Sequence, residues 1–287
     1  MPKTIQAPHS FTLIEKGNVS LILKDEYKNL LLKQGIEEIE TFFKKPRQIS
    51  HTFKGRIPHP SIPLEDEKRV VFRQYSHGGL LRPITGSFYL FGSRSFRELV
   101  LTEKIRSCGI PTISSIGAIH HRIFPPVYRA YFLSLEVPHA KDLTQYFHDM
   151  GPKPSQENLL QKRKIVRSVG DLIRQFHQAG FFHGDLQMKN ILVAGDQILL
   201  IDFDRSYQKS VLSIQERVRN LLRLNRSAEK WKRLGLPITR TDRWRFLLAY
   251  AGNDRKIPMA MKRALRTYSI RLLFYRFAWA VEKIVRS

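Results

Sequence analysis

The sequence predicts an α+β chain of two lobes, a small β-rich N-lobe and a mostly helical C-lobe. Short β-branched and aromatic runs crowd the first half, as in Val70-Val71-Phe72-Arg73-Gln74-Tyr75. Helical periodicity dominates the second half. It is clearest over Gln161–Ala179, where Ile165, Val169, Leu172, Ile173 and Phe176 share one face. A chain of 287 residues with 42% hydrophobic content is long and apolar enough for two lobes. The expected boundaries are 1–50 for an α/β extension of the N-lobe, 51–137 for the N-lobe, 138–255 for the C-lobe and 256–287 for a basic amphipathic C-terminal helix.

The elements follow in order. Phe11–Ile14 and Val19–Leu23 can pair across a Gly17-Asn18 turn. Asp25–Phe43 reads as one helix, with apolar Leu30, Leu31, Ile36 and Ile39 and with Gly35 inside it. Strands are expected on either side of Lys54-Gly55-Arg56, and Val70–Tyr75 is a further strand. Ser95–Cys108 reads as a helix, with Ser95 as its cap and Glu98 in capping-box register. Gly109 and Pro111 end it. Tyr131–Val137 is an apolar strand. The Gln161–Ala179 helix stops at Gly180. Ile191–Val193 and Ile198–Ile201 form a hairpin around Gly195-Asp196. Beyond Tyr207 the pattern is helical, with a loop near Gly235–Pro237.

Composition narrows the function classes. The single Cys108 excludes an internal disulfide framework and suits a reducing compartment. The polar start of the chain shows no secretory signal, and no long uncharged apolar run reads as a spanning helix. A net charge of +24 implies a polyanionic partner. Residues 209–287 hold 20 Lys/Arg against 5 Asp/Glu, a net +15. On a helical wheel over 271–286, Arg271, Arg276, Lys283 and Arg286 fall on one arc, with Leu273, Phe274, Phe277 and Val281 on the other. Such a helix suits an anionic membrane surface. The basic residues are not interleaved with aromatics in a nucleic-acid recognition module, so no nucleic acid is expected.

The stretch His183-Gly184-Asp185-Leu186-Gln187-Met188-Lys189-Asn190-Ile191-Leu192-Val193, followed by Ile201-Asp202-Phe203-Asp204, carries the chemistry. Asp185 can accept the proton of an attacking hydroxyl. Asn190 can hold a metal ion, and Asp202 the metal that bridges nucleotide phosphates. These residues at this spacing point to phosphoryl transfer from a nucleotide with a bound metal ion, and ATP and Mg²⁺ are the expected pair. The N-lobe should then supply a cation on a strand and a carboxylate on the next helix. Arg73 and Glu98 fill those places, with Glu103 a second carboxylate candidate. Lys54, Gly55 and Arg56 are candidates for touching the phosphates. Gly184 stands where many protein kinases have an arginine that reads a phosphorylated loop, so control of that kind is not expected. His183 reads as a scaffold residue rather than a base. An intact Asp185, Asn190 and Asp202 argues against a nucleic-acid-binding pseudokinase.

Several segments together resemble the lipopolysaccharide kinases of Gram-negative bacteria. They are Arg73-Gln74-Tyr75-Ser76-His77-Gly78-Gly79-Leu80-Leu81, Ser95-Phe96-Arg97-Glu98-Leu99, Gly109-Ile110-Pro111-Thr112, His183-Gly184-Asp185 and Ile201-Asp202-Phe203-Asp204-Arg205. The resemblance covers roughly residues 50–255. It implies a bilobal protein-kinase-like fold. It also implies ATP-dependent phosphorylation of the 3-deoxy-D-manno-octulosonic acid (Kdo) sugar on a lipid A precursor, Kdo-lipid IV-A, at the cytoplasmic face of the inner membrane. The R-x-Y-x-x-G-G-L segment favours a Kdo acceptor over a heptose. A heptose or another small hydroxylated molecule stays open as the acceptor.

Overall fold

The computed structural model describes residues 6–44, 51–53, 59–65, 67–76 and 86–266. The chain divides into two compact units, one of Met1–Ser107 with Thr112–Pro138, the other of Cys108–Pro111 with His139–Ser287.

The first unit is built on β1 (Phe11–Lys16), β2 (Val19–Lys24), β3 (His51–Phe53), β4 (His59–Pro63), β5 (Arg69–Gln74), β6 (Tyr89–Leu90), β7 (Ser115–Phe124) and β8 (Val127–Leu135). Among the described residues these form one eight-stranded sheet in the order β1-β2-β7-β8-β5-β4-β3, with β6 also on β8. Every pairing is antiparallel. Alternation along the strands fills both faces. Leu21, Leu23, Val70, Phe72 and Leu133 face α1 (Asp25–Lys33) and α2 (Ile39–Lys44), where Leu31 and Phe42 complete the cluster. Ile22, Ala118, Tyr75 and Phe132 face α3 (Arg94–Ser107), which contributes Phe96 and Leu99.

Two expectations for this unit are corrected. The single helix over Asp25–Phe43 is two helices, because α1 ends in a Schellman turn. Gly35 takes φ +82°, its N–H donates to Leu32 O, and Ile36 N–H donates to Leu31 O. The Ser95 capping box does not form. The helix begins at Arg94, Arg97 N–H donates to Ser93 O, and the Ser95 hydroxyl instead donates to Ile119 O. The ten-residue β7 carried no clear strand signal. It is buried on both faces over most of its length, so it lacks the polar alternation of a half-exposed strand. β8 likewise starts at Val127, four residues before the expected Tyr131.

The second unit contains α4 (Leu143–Asp149), α5 (Gln156–Gln178), α6 (Ile214–Arg233) and α7 (Arg240–Ala251), with residues 256–266 also helical. Its strands are β9 (Lys141–Asp142), β10 (Phe181–Phe182), β11 (Ile191–Ala194), β12 (Gln197–Leu200) and β13 (Tyr207–Gln208). α5 starts five residues before the expected Gln161, since Ser155 caps it by accepting from Asn158 N–H. The hairpin of β11 and β12 forms in the register Ile191↔Leu200. Gly170 lets α5 and α7 cross closely, because a Cβ there would lie 2.7 Å from Phe246 O and 2.8 Å from the Ala249 Cβ. A buried ion pair, Lys162–Asp242 at 2.6 Å, joins the same two helices. No helix among the described residues is long and apolar enough to cross a membrane. The amphipathic stretch 271–286 lies outside the described residues.

Candidate active site

α5 and β10 deliver the chain to the loop His183–Asn190. His183 is fully buried and sits under the loop. Its Nδ1 accepts from Asp185 N–H at 3.1 Å, so Nε2 carries the proton and donates to Ile201 O at 3.1 Å. Burial lowers its pKa, opposed by the nearby Asp202 and Asp185 charges. It is therefore a neutral strut, in line with a scaffold residue and not a base.

Asn220, on α6, fixes the other side of His183. Its Oδ1 accepts from His183 N–H at 3.0 Å, and its Nδ2 donates to His183 O at 2.9 Å. The same Oδ1 accepts from His177 Nε2 at 3.0 Å, and His177 Nδ1 accepts from the Tyr250 hydroxyl at 2.7 Å. Burial lowers the His177 pKa to about 4 and raises that of Tyr250. Every polar atom of Asn220 in this buried set is used, which is the condition for a polar core group to stabilise rather than cost. Farther along the loop, Met188 N–H donates to Ser227 Oγ of the same helix at 3.2 Å.

The carboxylate of Asp185 is held on both oxygens. Oδ1 accepts from Arg223 Nε at 2.8 Å and Nη2 at 2.5 Å, and Oδ2 accepts from Gln187 Nε2 at 3.0 Å. Asn190 donates its Nδ2 to Asp185 O at 2.8 Å, which fixes the amide and leaves Oδ1 as the oxygen for a cation. Ile201 N–H donates to Asn190 O at 3.0 Å, continuing the hairpin pairing by one bond. That bond brings Asp202 to the Asn190 end of the hairpin. Asp202 takes φ +67° and Arg205 φ +61°, left-handed conformations uncommon for side-chain-bearing residues. The turn they make passes close over Gly184, where a Cβ would lie 2.5 Å from Asp204 O and 2.7 Å from Arg205 C. Gly184 is thus required by backbone approach. Phe203 anchors the turn, stacked on Phe176 at 5.9 Å between ring centroids and packed beside His183.

In the first unit, Arg73 on β5 meets Glu98 on α3, with Nη2 to Oε2 at 2.5 Å. The Tyr75 hydroxyl donates to the same Oε2 and accepts from Arg73 Nη2 at 3.2 Å. Glu98 is only 3% exposed. The guanidinium lies 4.8 Å from the Tyr75 ring centroid and 5.5 Å from that of Phe132. Glu103 is engaged elsewhere, by Arg106 at 3.2 Å and by the Ser115 hydroxyl, so Glu98 is the partner of Arg73. Lys54, Gly55 and Arg56 lie outside the described residues. Sequence reasoning missed Tyr75, Gln187, Asn220 and Arg223 as members of these groups. Asn220 and Arg223 are three apart on one helix and so share a face.

The oxygens of Asn190 and Asp202 are a hard donor set of the size that Mg²⁺ uses when phosphates and water complete its shell. Among the described residues no cluster of three or more His, Cys, Asp or Glu side chains could hold a metal unaided. An antiparallel sheet with a paired arginine and glutamate, and a helical unit with the Asp185 loop and the Asp202 hairpin, define a kinase-type phosphotransferase. The model of the lipopolysaccharide kinase (Kdo/WaaP) family matches residues 58–250, and the chain belongs to that family. The 3-deoxy-D-manno-octulosonic acid kinase of Pasteurella multocida is 31% identical over 224 residues, covering 73% of this chain and 87% of that protein. The protein of the same name from Actinobacillus succinogenes is 32% identical over 218 residues, covering 72% and 86%. A structure of WaaP in complex with acyl carrier protein superposes with a TM-score of 0.57 at 19% identity, covering 86% of this chain and 98% of that one. That likeness concerns the fold, which is α+β and kinase-like. The protein is a lipopolysaccharide-related kinase that uses ATP.

Proposed function

We propose that this kinase transfers the γ-phosphoryl group of ATP to a hydroxyl of the Kdo sugar on Kdo-lipid IV-A. The observation that carries the mechanism is the double hold on Asp185. Arg223 occupies Oδ1 with two donors, so Oδ2, oriented by Gln187, is the atom that receives the acceptor's proton. As the hydroxyl oxygen bonds to phosphorus, the bond from phosphorus to the ADP oxygen breaks and the proton passes to Asp185. Asn190 and Asp202 would hold Mg²⁺, which when bound neutralises charge on the phosphates. Arg73, positioned by Glu98 and Tyr75, contributes a cation to the nucleotide. The names of the relatives favour Kdo over heptose as the acceptor.

The enzyme would work as a peripheral protein on the cytoplasmic face of the inner membrane. The net +15 of residues 209–287 supports this, since the acceptor is embedded among anionic lipids. The test is incubation with ATP, Mg²⁺ and Kdo-lipid IV-A, read by mass spectrometry. A phosphate-sized mass increase is expected. Transfer only to a heptose-bearing acceptor would reassign the substrate, and no transfer to either would remove the lipopolysaccharide acceptor altogether.

A further inference from the structure

One end of the β-sheet carries apolar side chains that the fold leaves in water. Leu90, at the end of β6, is 64% exposed, the adjoining Phe91 is 73% exposed, and Phe124, at the end of β7, is 60% exposed. Register brings them side by side: Leu90 pairs with Val127 of β8, and Phe124 pairs with the same Val127 from the other side. Phe91 N–H donates to Pro126 O at 3.2 Å, which ties the two turns into a single tip.

The tip is held in this form against local preference. Phe91 has φ +56° and Gly92 φ +77°. A bulky aromatic in the left-handed region is a genuine outlier, and such outliers cluster at functional sites. Gly92 suits its left-handed φ, and a Cβ there would lie 2.5 Å from Arg97 Nη2, the movable end of a long side chain. That contact sets the Arg97 guanidinium beside the tip. Arg94 lies over the Tyr89 ring at 4.6 Å, and Arg122 stands exposed on β7 two residues before Phe124. Neither 86–97 nor 115–130 contains an Asp or Glu. Exposed phenyl and leucyl groups rimmed by arginine, with no acidic residue in either segment, match the boundary of an anionic bilayer, where apolar groups enter the acyl region and cations meet the headgroups.

We propose that this tip inserts into an anionic membrane surface and is a second membrane contact of the protein, separate from the C-terminal segment. It deepens the peripheral-membrane reading above. Vesicle binding requires no acceptor, so it can be judged apart from the sugar specificity.

The test measures sedimentation of the full chain with phosphatidylglycerol/phosphatidylcholine vesicles. Phe91→Gly is the sharpest variant, since glycine suits the local φ and the fold should be kept or slightly stabilised. Phe91→Gly combined with Phe124→Ser should weaken vesicle binding about tenfold or more, given what an exposed phenyl gains on leaving water. Arg94→Gln with Arg122→Gln should weaken binding to anionic vesicles and leave the residual binding to pure phosphatidylcholine unchanged. The double variant Phe274→Glu, Phe277→Glu serves as the comparison. If it abolishes binding while the tip variants bind like wild type, the peripheral reading stands and the tip proposal falls. If none of the variants changes binding, both fall. A concentration-dependent dimer that Phe91→Gly dissociates would assign the tip to a second copy of the chain and overturn the proposal.

Discussion

The Arg73–Glu98 pair and the Asp185 loop are both electrostatic devices, yet they are built differently. The pair consists of side chains meeting between a strand and a helix, with one tyrosine hydroxyl completing it. The loop is backbone held in place by buried groups: His183 beneath it, Asn220 on its flank and the Asp202 turn packed on Gly184. A side-chain pair can lose a member and leave the fold standing. A pinned backbone cannot, because each pin also satisfies a buried donor or acceptor. Damage to the pair should therefore read out first as nucleotide handling, and damage to the loop's buried pins as both stability and turnover.

The largest effect is expected where the chemistry sits. Asp185→Asn should lower turnover by about 10²–10⁴ with little change in thermal unfolding, because it removes the proton acceptor and keeps the shape. Next come the pins. Asn220→Ala would leave His183 N–H, His183 O and His177 Nε2 without partners, and should cost roughly 2–4 kcal/mol. Its turnover should fall as well, measured at a temperature where the variant is folded. A variant that loses neither stability nor rate would break the distinction drawn above. Gly184→Ala should cost both stability and rate, since its Cβ would meet the Asp204–Arg205 backbone at 2.5–2.8 Å and push Asp202 with it.

Arg73→Ala tests the other side. It should raise the KM for ATP about tenfold, the worth of a charge-assisted contact, and also cost stability, because the buried Glu98 carboxylate loses its cation while it keeps the Tyr75 hydroxyl. Unchanged ATP kinetics would detach the pair from the nucleotide.

The smallest effect is on pH dependence. His177 and His183 are held neutral by burial, the former with a pKa lowered to about 4 from the usual 6.5. The unfolded chain takes up those protons first, so stability is full above pH 6.5 and is lost as pH falls towards 4. For His177 this is a slope of about 1.4 kcal/mol per pH unit in that window. Thermal unfolding followed from pH 7 to pH 5 should show this, and His177→Gln should flatten it.

These differences also track what the sequence could show. Asp185, Asn190 and Asp202 stood out in the sequence because phosphoryl transfer needs those residue types at a fixed spacing along one stretch of chain. Arg73 and Glu98 were legible because a strand and a helix each marked a place for one charge, and the geometry pairs them. Asn220, Arg223 and Gln187 were not, since their roles arise from where α6 and the loop pack in space. Gly184 was noticed only as a departure from a motif, whereas the backbone above it is the physical reason for its size. The break at Gly35 and the doubly buried β7 escaped for local reasons: a Schellman turn can follow an unbroken helical pattern, and a strand buried on both faces has no alternation to detect.

The most direct measurement is single-turnover transfer from γ-labelled ATP to Kdo-lipid IV-A, followed by mild acid release of the Kdo sugar. Wild type should place the label on the released sugar. Asp185→Asn should do so at least about a hundredfold more slowly while binding ATP as tightly. Label retained on the lipid A portion, or equal rates for the two proteins, would contradict the account.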